Sequence, residues 1–304
     1  MSVPINGASF SNLRAPGIRK VFFDTFDEIA KTEMVTPLLY NFIDSKRYSE
    51  DTLSISGIGN FEDFTANGQI TYDDISEGYK KTFINNEWTK GIRIQRSASD
   101  DDLYGIFDQM PKQRAIAAAR TRETHGLSVF SGAFAGTGGA DALSLCNSAH
   151  TSPVSGVATQ SNTGTETLSK TSVSANRIAM AKFYDFQGNQ MGVKMDTLLV
   201  PIDKEEDAWV IISSKGEPET ADNNPNFHFG RYKLVVAPLL TNPTAWFSMD
   251  WNLMKQCLLW FERVKLELNE DTAFNTYEAR YSAYMRYTYG TTDWKWIFGQ
   301  NATS

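Results

Sequence analysis

The chain is poor in the residues on which most enzymes and metal proteins depend. Two cysteines, Cys146 and Cys257, occur in 304 residues, too few for a disulfide framework and in keeping with a reducing compartment, so both are expected as buried thiols. Of the three histidines, His125, His150 and His228, only His150 stands near a cysteine. Cys146 and His150 are four apart, yet structural zinc takes four ligands and no second pair follows at motif spacing. No G-x-S-x-G elbow and no H-E-x-x-H pattern is present, which leaves acyl transfer and zinc proteolysis without an anchor. Gly136-Thr137-Gly138-Gly139 lacks the Lys-Ser/Thr that completes a phosphate loop and reads as a connector. No catalytic, cofactor-binding or metal site is therefore expected, and no cofactor. Long apolar runs are missing too: Leu234 to Leu240 is too short to span a bilayer. The N-terminal stretch MSVPINGASFSNLRAPGIRK has no apolar core of signal-peptide length, so a chain made in the cytosol, with no membrane partner, is expected. Positive charge is not in excess, since 29 basic side chains face 36 acidic ones for a net charge of -7. That total argues against broad gripping of nucleic-acid phosphates.

What is present is ordinary globular material, 41% hydrophobic and 21% charged, with 12% aromatic residues and 21 glycines. At about 100–200 residues per domain the length allows roughly two structural units. Residues 1–16 are polar, without periodicity, and read as an arm. From Pro16-Gly17 onward Phe22, Phe23, Phe26, Ile29 and Ala30 recur at helical spacing, and Pro37 is expected to close that short helix. Residues 50–98 carry Gly57, Gly59, Asn67-Gly68 and Gly78 and a late alternation at Ile92 and Ile94, which predicts a long two-stranded excursion. A lone ribbon is marginal in water, so something outside it, such as a neighbouring subunit, is expected to cover it.

Asp100, Asp101 and Asp102 then precede Leu103, Ile106, Phe107 and Met110, a helix start with acids at its positive end. Pro111 is expected to kink or restart that helix, which runs on to Phe134 for roughly eight turns, about 45 Å. Residues 135–175 read as loop. Ser174 is expected to cap a helix over 175–187, Thr197 to Val200 and Lys233 to Ala237 are short strands, and Asp203 with Glu206 is expected to cap a helix carrying Ala208, Ile211 and Ile212. From Tyr277 to Tyr289 the odd positions are Tyr, Ala or Met while Glu278, Arg280 and Arg286 are even, a half-buried strand; Asp293 to Phe298 is expected to return beside it. The alternation argues against a stacking platform for single-stranded nucleic acid. Lys112, Arg114, Arg120 and Arg122 are expected on a solvated or inter-subunit face of the long helix.

Taken in order, several stretches resemble the major capsid proteins of tailed bacteriophages with the Hong Kong 97-type fold, closest to the Mu-like major head subunits. They are Leu13 to Phe23, Ile70-Thr71-Tyr72-Asp73 with Gly78-Tyr79-Lys80-Lys81, Asp101 to Gly105, Leu143 to His150, Thr220 to Asn226, Val235 to Phe247, and Arg286-Tyr287 with Asp293-Trp294. The resemblance implies an α+β fold with an N-terminal arm and short helix (1–45), an extended β-hairpin loop (46–98), a peripheral domain with a long spine helix (99–145 and 249–304) and an α/β axial domain (146–248). It implies self-assembly into pentamers and hexamers of an icosahedral shell around double-stranded DNA, bound without sequence specificity, and no enzymatic turnover. Implied partners are further copies of the chain, a scaffolding protein, a portal and a decoration protein, in a virion capsid assembled in the host cytoplasm. Assembly-interface candidates carried by the resemblance are Lys80, Trp88, Arg93, Asn223, Asn224, Asp293 and Trp294. Some relatives join a loop lysine to a neighbour's asparagine; Lys80, Lys81 and Lys90 lie in the loop, but no motif for partner and catalytic acid matches. The alternatives are an encapsulin-like shell around cargo protein and a small soluble hydrolase using Cys146 and His150.

Overall fold

The computed structural model describes residues 11–302, apart from 57–59, 62, 65–67, 71, 73–76, 96, 98–105, 217–224 and 274. The first element is longer than its apolar pattern predicts. Helix α1 (Ser11–Thr32) runs through Pro16-Gly17, because packing along the later spine helix outweighs local propensity. Pro37 does not close it. It lies in the first turn of a four-residue helix α2 (Thr36–Leu39), where its missing N–H leaves no intrahelical bond unmade. Strand β1 (Asn41–Asp44) follows, then β2 (Ser49–Ile55), β3 (Glu77–Ile84) and β4 (Asn86–Gln95).

The excursion expected over 50–98 divides in two. Strands β2 and β3 pair only with each other, antiparallel, as a ribbon. Strand β4, the one with the Ile92/Ile94 alternation, leaves the ribbon and joins a larger sheet, since its alternate side chains have a core to face. Helix α3 (Ile106–Ser131) is a 26-residue spine, about 39 Å long, and Pro111 lies within it. The acids expected to cap it, Asp100 to Asp102, lie outside the described residues.

The segment after α3 is loop, as its composition predicts, with a two-residue strand β5 (Thr163–Gly164). Helix α4 (Lys170–Ala181) starts earlier than expected: Ser169, not Ser174, is its cap, in a box with Ser172, so Ser174 falls inside the helix. Strand β6 (Thr197–Pro201), a single 3-10 turn (Ile202–Lys204) and helix α5 (Glu205–Ser213) follow. The expected Asp203/Glu206 cap is not made. The first turn of α5 instead carries Glu205, Glu206 and Asp207 with no side-chain cap bond, and their charge meets the positive helix end. Then come β7 (Lys233–Ala237), β8 (Ala245–Met249), helix α6 (Trp251–Cys257) capped by Asp250, β9 (Leu258–Ala273), β10 (Glu278–Thr291) and β11 (Ile297–Asn301).

Two sheets share one core. The four-stranded sheet has the order β1-β9-β10-β4 and the five-stranded sheet β5-β11-β8-β6-β7. Along β10, Ala283, Met285 and Tyr287 are buried and Arg280 is exposed, as the alternation predicts. The strand after it does something else: β11 does not return beside β10 but crosses to the second sheet, between β8 and β5. Trp294 and Trp296 on the crossing are both buried, and their removal from water favours that route. The long partner β9 has no clean period, because Leu258 to Phe261 are buried on both faces and only the stretch beyond them alternates.

Spine and short helix are packed closely. Glu123 Oε1 accepts the N–H of Val35 (2.9 Å) and Oε2 that of Thr36 (3.0 Å), and Tyr40 Oη donates to the Gly126 carbonyl (2.7 Å). A Cβ on Gly126 would lie 2.2 Å from Thr36 Oγ1 and 2.9 Å from Thr36 Cβ. Alanine for glycine inside a helix ordinarily stabilises by about 1 kcal/mol, but overpacking costs about 1–3 kcal/mol. Gly126→Ala should therefore lower stability, by up to about 2 kcal/mol, in urea unfolding; a more stable variant would show that α2 is not seated on the spine.

Candidate functional site

The sequence offered one pair with enzymatic potential, and the fold uses it structurally. Cys146 is buried, and a Cβ on Gly299 would lie 2.6 Å from its sulfur; burial pushes its thiol far up. Burial likewise raises the Cys257 thiol, to about 12, so neither is a ready nucleophile. His150 is 1% exposed and faces away from Cys146 chemistry: Nδ1 lies 2.5 Å from Asp141 Oδ2 and Nε2 3.0 Å from Asn162 Oδ1. Asn162 Nδ2 in turn donates to the carbonyls of Leu145 and Ile297. The His150 ring stacks on Trp294 at 4.2 Å. Together they pin the glycine-rich connector to the crossing before β11. Burial raises the Asp141 carboxyl, and the bond to His150, its charge and the Leu143 N–H more than offset that, holding it below the usual carboxylate range. Among the described residues no group of three or more His, Cys, Asp or Glu is placed to hold a metal.

The exposed surface is more telling. At the ribbon tip Phe61 is 99% exposed, and Phe64, Ile70, Tyr72, Ile55 and Leu53 are exposed too. Single exposed apolar residues are common, but six among the described residues between 53 and 72 suit an interaction surface. The ribbon's root is firm: Phe83 is buried against Phe261 and Leu259. Farther along, Tyr79 Oη donates to the Thr151 carbonyl, Lys81 Nζ donates to the Gly138 carbonyl, and Tyr79 packs edge-on against Phe186 at 5.7 Å. Burial lowers the Lys81 pKa.

The sequence candidates fall in three places. Lys80, on the ribbon, is exposed and pairs with Asp51 (3.1 Å); the bond from Thr82 and this lysine hold the Asp51 carboxyl low. Arg93 is exposed on β4, an edge strand, directly opposite Arg280, which itself faces Asp271 on β9. Charge of this kind is a common device on free sheet edges. Trp294 is 2% exposed and belongs to the core, and Asp293 binds Lys295 (3.0 Å) beside it. Trp88 is half-buried with its ring 4.2 Å from that of His125, whose Nδ1 is 2.7 Å from Tyr287 Oη; burial lowers the His125 pKa. Asn223 and Asn224 lie outside the described residues.

The basic run on the spine does not share one face. Lys112 and Arg120 are exposed, while Arg114 and Arg122 are buried. Positions 114, 118 and 122 form the i, i+4, i+8 stripe of the buried helix face, and 112, 116 and 120 the same stripe on the exposed one. Arg122 Nη1 pairs with Glu262 Oε1 at 2.7 Å and lies over the Trp260 ring at 5.3 Å.

A family model described as phage capsid protein matches residues 86–299, from the first residue of β4 almost to the end of β11. Among solved structures, the mature capsid of bacteriophage PhiM1 matches with a TM-score of 0.59 at 11% identity, covering 90% of this chain and 88% of that one. The procapsid of bacteriophage JBD30 matches at 0.53 and 13% identity, over 99% and 77%. The JBD30 capsid decorated with minor capsid protein trimers matches at 0.56 and 12%, over 69% and 92%. The α+β fold is thus that of phage capsid subunits. No curated protein sequence matches the chain.

Two outcomes follow from this geometry. The lowered Asp141 pKa adds stability that is fully present above the unfolded value near 3.9 and is lost as pH falls through the folded one. Urea unfolding of Asp141→Asn should therefore fall short of wild type at pH 5–6 and converge with it below about pH 4; a constant gap would deny the pair that role. Replacing both Tyr79→Phe and Lys81→Met should speed hydrogen exchange in β2 and β3 and leave the global unfolding midpoint unchanged.

Proposed function

The chain belongs to the phage capsid protein family: it is a major capsid protein, a structural subunit of the virion shell and not an enzyme, and we propose how its parts serve that shell. Residues 1–45 act as the arm, 46–98 as the extended loop, 99–145 with 249–304 as the peripheral domain and 146–248 as the axial domain of a Hong Kong 97-type subunit. Within the family the chain is placed beside the Mu-like head subunits on the stretches already named, Leu13 to Phe23 first among them. Copies associate as pentamers and hexamers in the host cytoplasm, with a separate scaffolding protein, a portal and a decoration protein, and the shell closes around double-stranded DNA.

The observation that carries this reading is the ribbon. Strands β2 and β3 have no sheet partner other than each other, and the side chains at their far end are apolar and exposed. A surface of that kind is costly on an isolated subunit and becomes favourable when a neighbour covers it, at about 25 cal/mol per Å2 of apolar area buried. The net charge of -7 suits a lining along which DNA must slide, because few lysines and arginines are available to release counterions and hold it. Subunits associate without a lysine crosslink in this scheme, since no motif for partner and catalytic acid accompanies Lys80, Lys81 or Lys90.

Purified protein, alone and with a scaffold, should sediment and appear in negative stain as capsomers or closed shells. A monomer that resists assembly under all conditions would sink the proposal, and shells filled with protein instead of DNA would favour the encapsulin-like alternative. Replacing residues 57–76 by a short turn removes the ribbon tip and spares Phe83 and Trp88. That variant should fold with an unchanged circular dichroism spectrum and fail to close shells. Normal closure would remove the ribbon from the mechanism.

A further inference from the structure

The helices on the five-stranded sheet carry two surface patches that combine exposed apolar side chains with charge of opposite sign. One heads α5. Asp203, Glu205, Glu206 and Asp207 are exposed there, and Lys204 pairs with Asp207 at 3.3 Å. Beside these acids Trp209 is 60% exposed, and Ile202 and Val210 are exposed too. The other patch lies where α4 meets the turn before β7, with His228 Nε2 3.1 Å from Ser174 Oγ. Arg177 and Arg231 lie against the ring of Phe227, at 5.1 Å and 4.0 Å from its centre. Phe227 is 47% exposed and Phe229 is exposed as well. Neither arginine makes an ion pair among the described residues. The turn is tied to the far end of α5: Asn226 Nδ2 donates to the Ile211 carbonyl and the Gly230 N–H to that of Ile212. Nine residues of helix, about 13 Å, therefore stand between the acids and the arginines.

We propose that these patches are the two halves of one contact between copies of the chain, in which the first turn of α5, with Trp209, seats on the Arg177, Phe227 and Arg231 surface of the next subunit. The inference rests on the shell reading above. Exposed tryptophan, phenylalanine and arginine are the side chains in which protein contacts are enriched. Local charge selects the occupant: Asp203, Glu205 and Glu206 on one patch and the two arginines on the other stand without ion-pair partners in their own copy, and each patch supplies what the other lacks. The two halves are different surfaces, so the contact is heterologous; it repeats from copy to copy and makes a ring when its rotation closes. A basic aromatic patch also suits nucleic acid, but that reading leaves Trp209 and the acids beside it without an occupant.

Charge reversal in assembling protein tests the pairing. Arg231→Glu, at an exposed position, should raise the protein concentration needed for capsomers about tenfold or more, and so should Glu205→Lys with Glu206→Lys. Reversal in the first turn of α5 also sets like charge against the positive helix end, so the decisive protein carries all three substitutions. It should recover most of the lost assembly, because opposite charges face each other again; a combined variant no better than its parents overturns the proposal. A second measurement does not depend on charge. Tryptophan emission should move to the blue when wild type assembles, as Trp209 leaves water, and should move less for Trp209→Phe; an equal shift in both overturns the contact. Arg231→Glu shells that form normally but retain less DNA would assign the patch to nucleic acid instead. Loss of assembly on replacing Glu217, Glu219 and Asp222 by their amides, with the Glu205 and Glu206 variant normal, would give the arginines to that segment. Wild type that stays monomeric refutes the shell reading and this contact with it, whereas wild type that assembles no better than its charge-reversed variants refutes this contact alone.

Discussion

Within little more than one turn of α3, four residues tie together parts of the chain that are far apart in sequence. Arg122 reaches Glu262 on β9, Glu123 holds the backbone before α2, His125 meets Tyr287 on β10, and the Gly126 carbonyl accepts from Tyr40. One turn on, Phe130 packs against Phe247 and Trp296 of the second sheet's core. The spine must therefore be polar and buried at once. Each polar contact has to be completed, because a buried charge that loses its partner costs about 3–5 kcal/mol. Register between the two sheets depends on this one helix face, and the aromatic side chains around it, Trp260 stacked on Tyr287 at 4.6 Å among them, fill the space between the polar anchors.

Much of this was legible before any coordinates. The long helix, the half-buried strand expected from Tyr277 and found from Glu278, and the short strands at Thr197 and Lys233 follow from spacing, and the α+β class from the family resemblance. The ribbon's lack of a sheet partner was legible too. What spacing misplaced were the decisions made by distant residues. Pro37 starts a helix because Glu123 supplies the acceptor for it. Strand β11 crosses sheets because two buried tryptophans before it need a core. Strand β9 is buried on both faces at its start, where periodicity carries no signal.

The candidate surfaces were legible unevenly, and for a physical reason. Lys80 and Arg93 are exposed, whereas Trp294 is stacked on His150 inside the subunit. A tryptophan beside an aspartate looks alike in sequence whether it faces a neighbour or a core. The buried cations show the converse: Arg114 and Arg122 sit in a run that reads as solvated, and since both they and the exposed Lys112 and Arg120 are eight residues apart, spacing shows two helix faces without saying which one is buried.

The junction of ribbon and sheet sets how the subunit carries load. Asn85, between β3 and β4, is buried; its Nδ2 donates to Ser45 Oγ and to the Arg47 carbonyl, both at 3.0 Å, and its N–H to the Tyr48 carbonyl. The paired strands beyond it run about 24 Å and are held a second time, where Tyr79 and Lys81 bond the carbonyls of Thr151 and Gly138. A force applied at the exposed apolar residues beyond them is therefore shared between Asn85, which passes it into β4, and the connector before α4, which passes it toward the second sheet. A neighbour that grips those residues gains a mechanical hold on the core at two points.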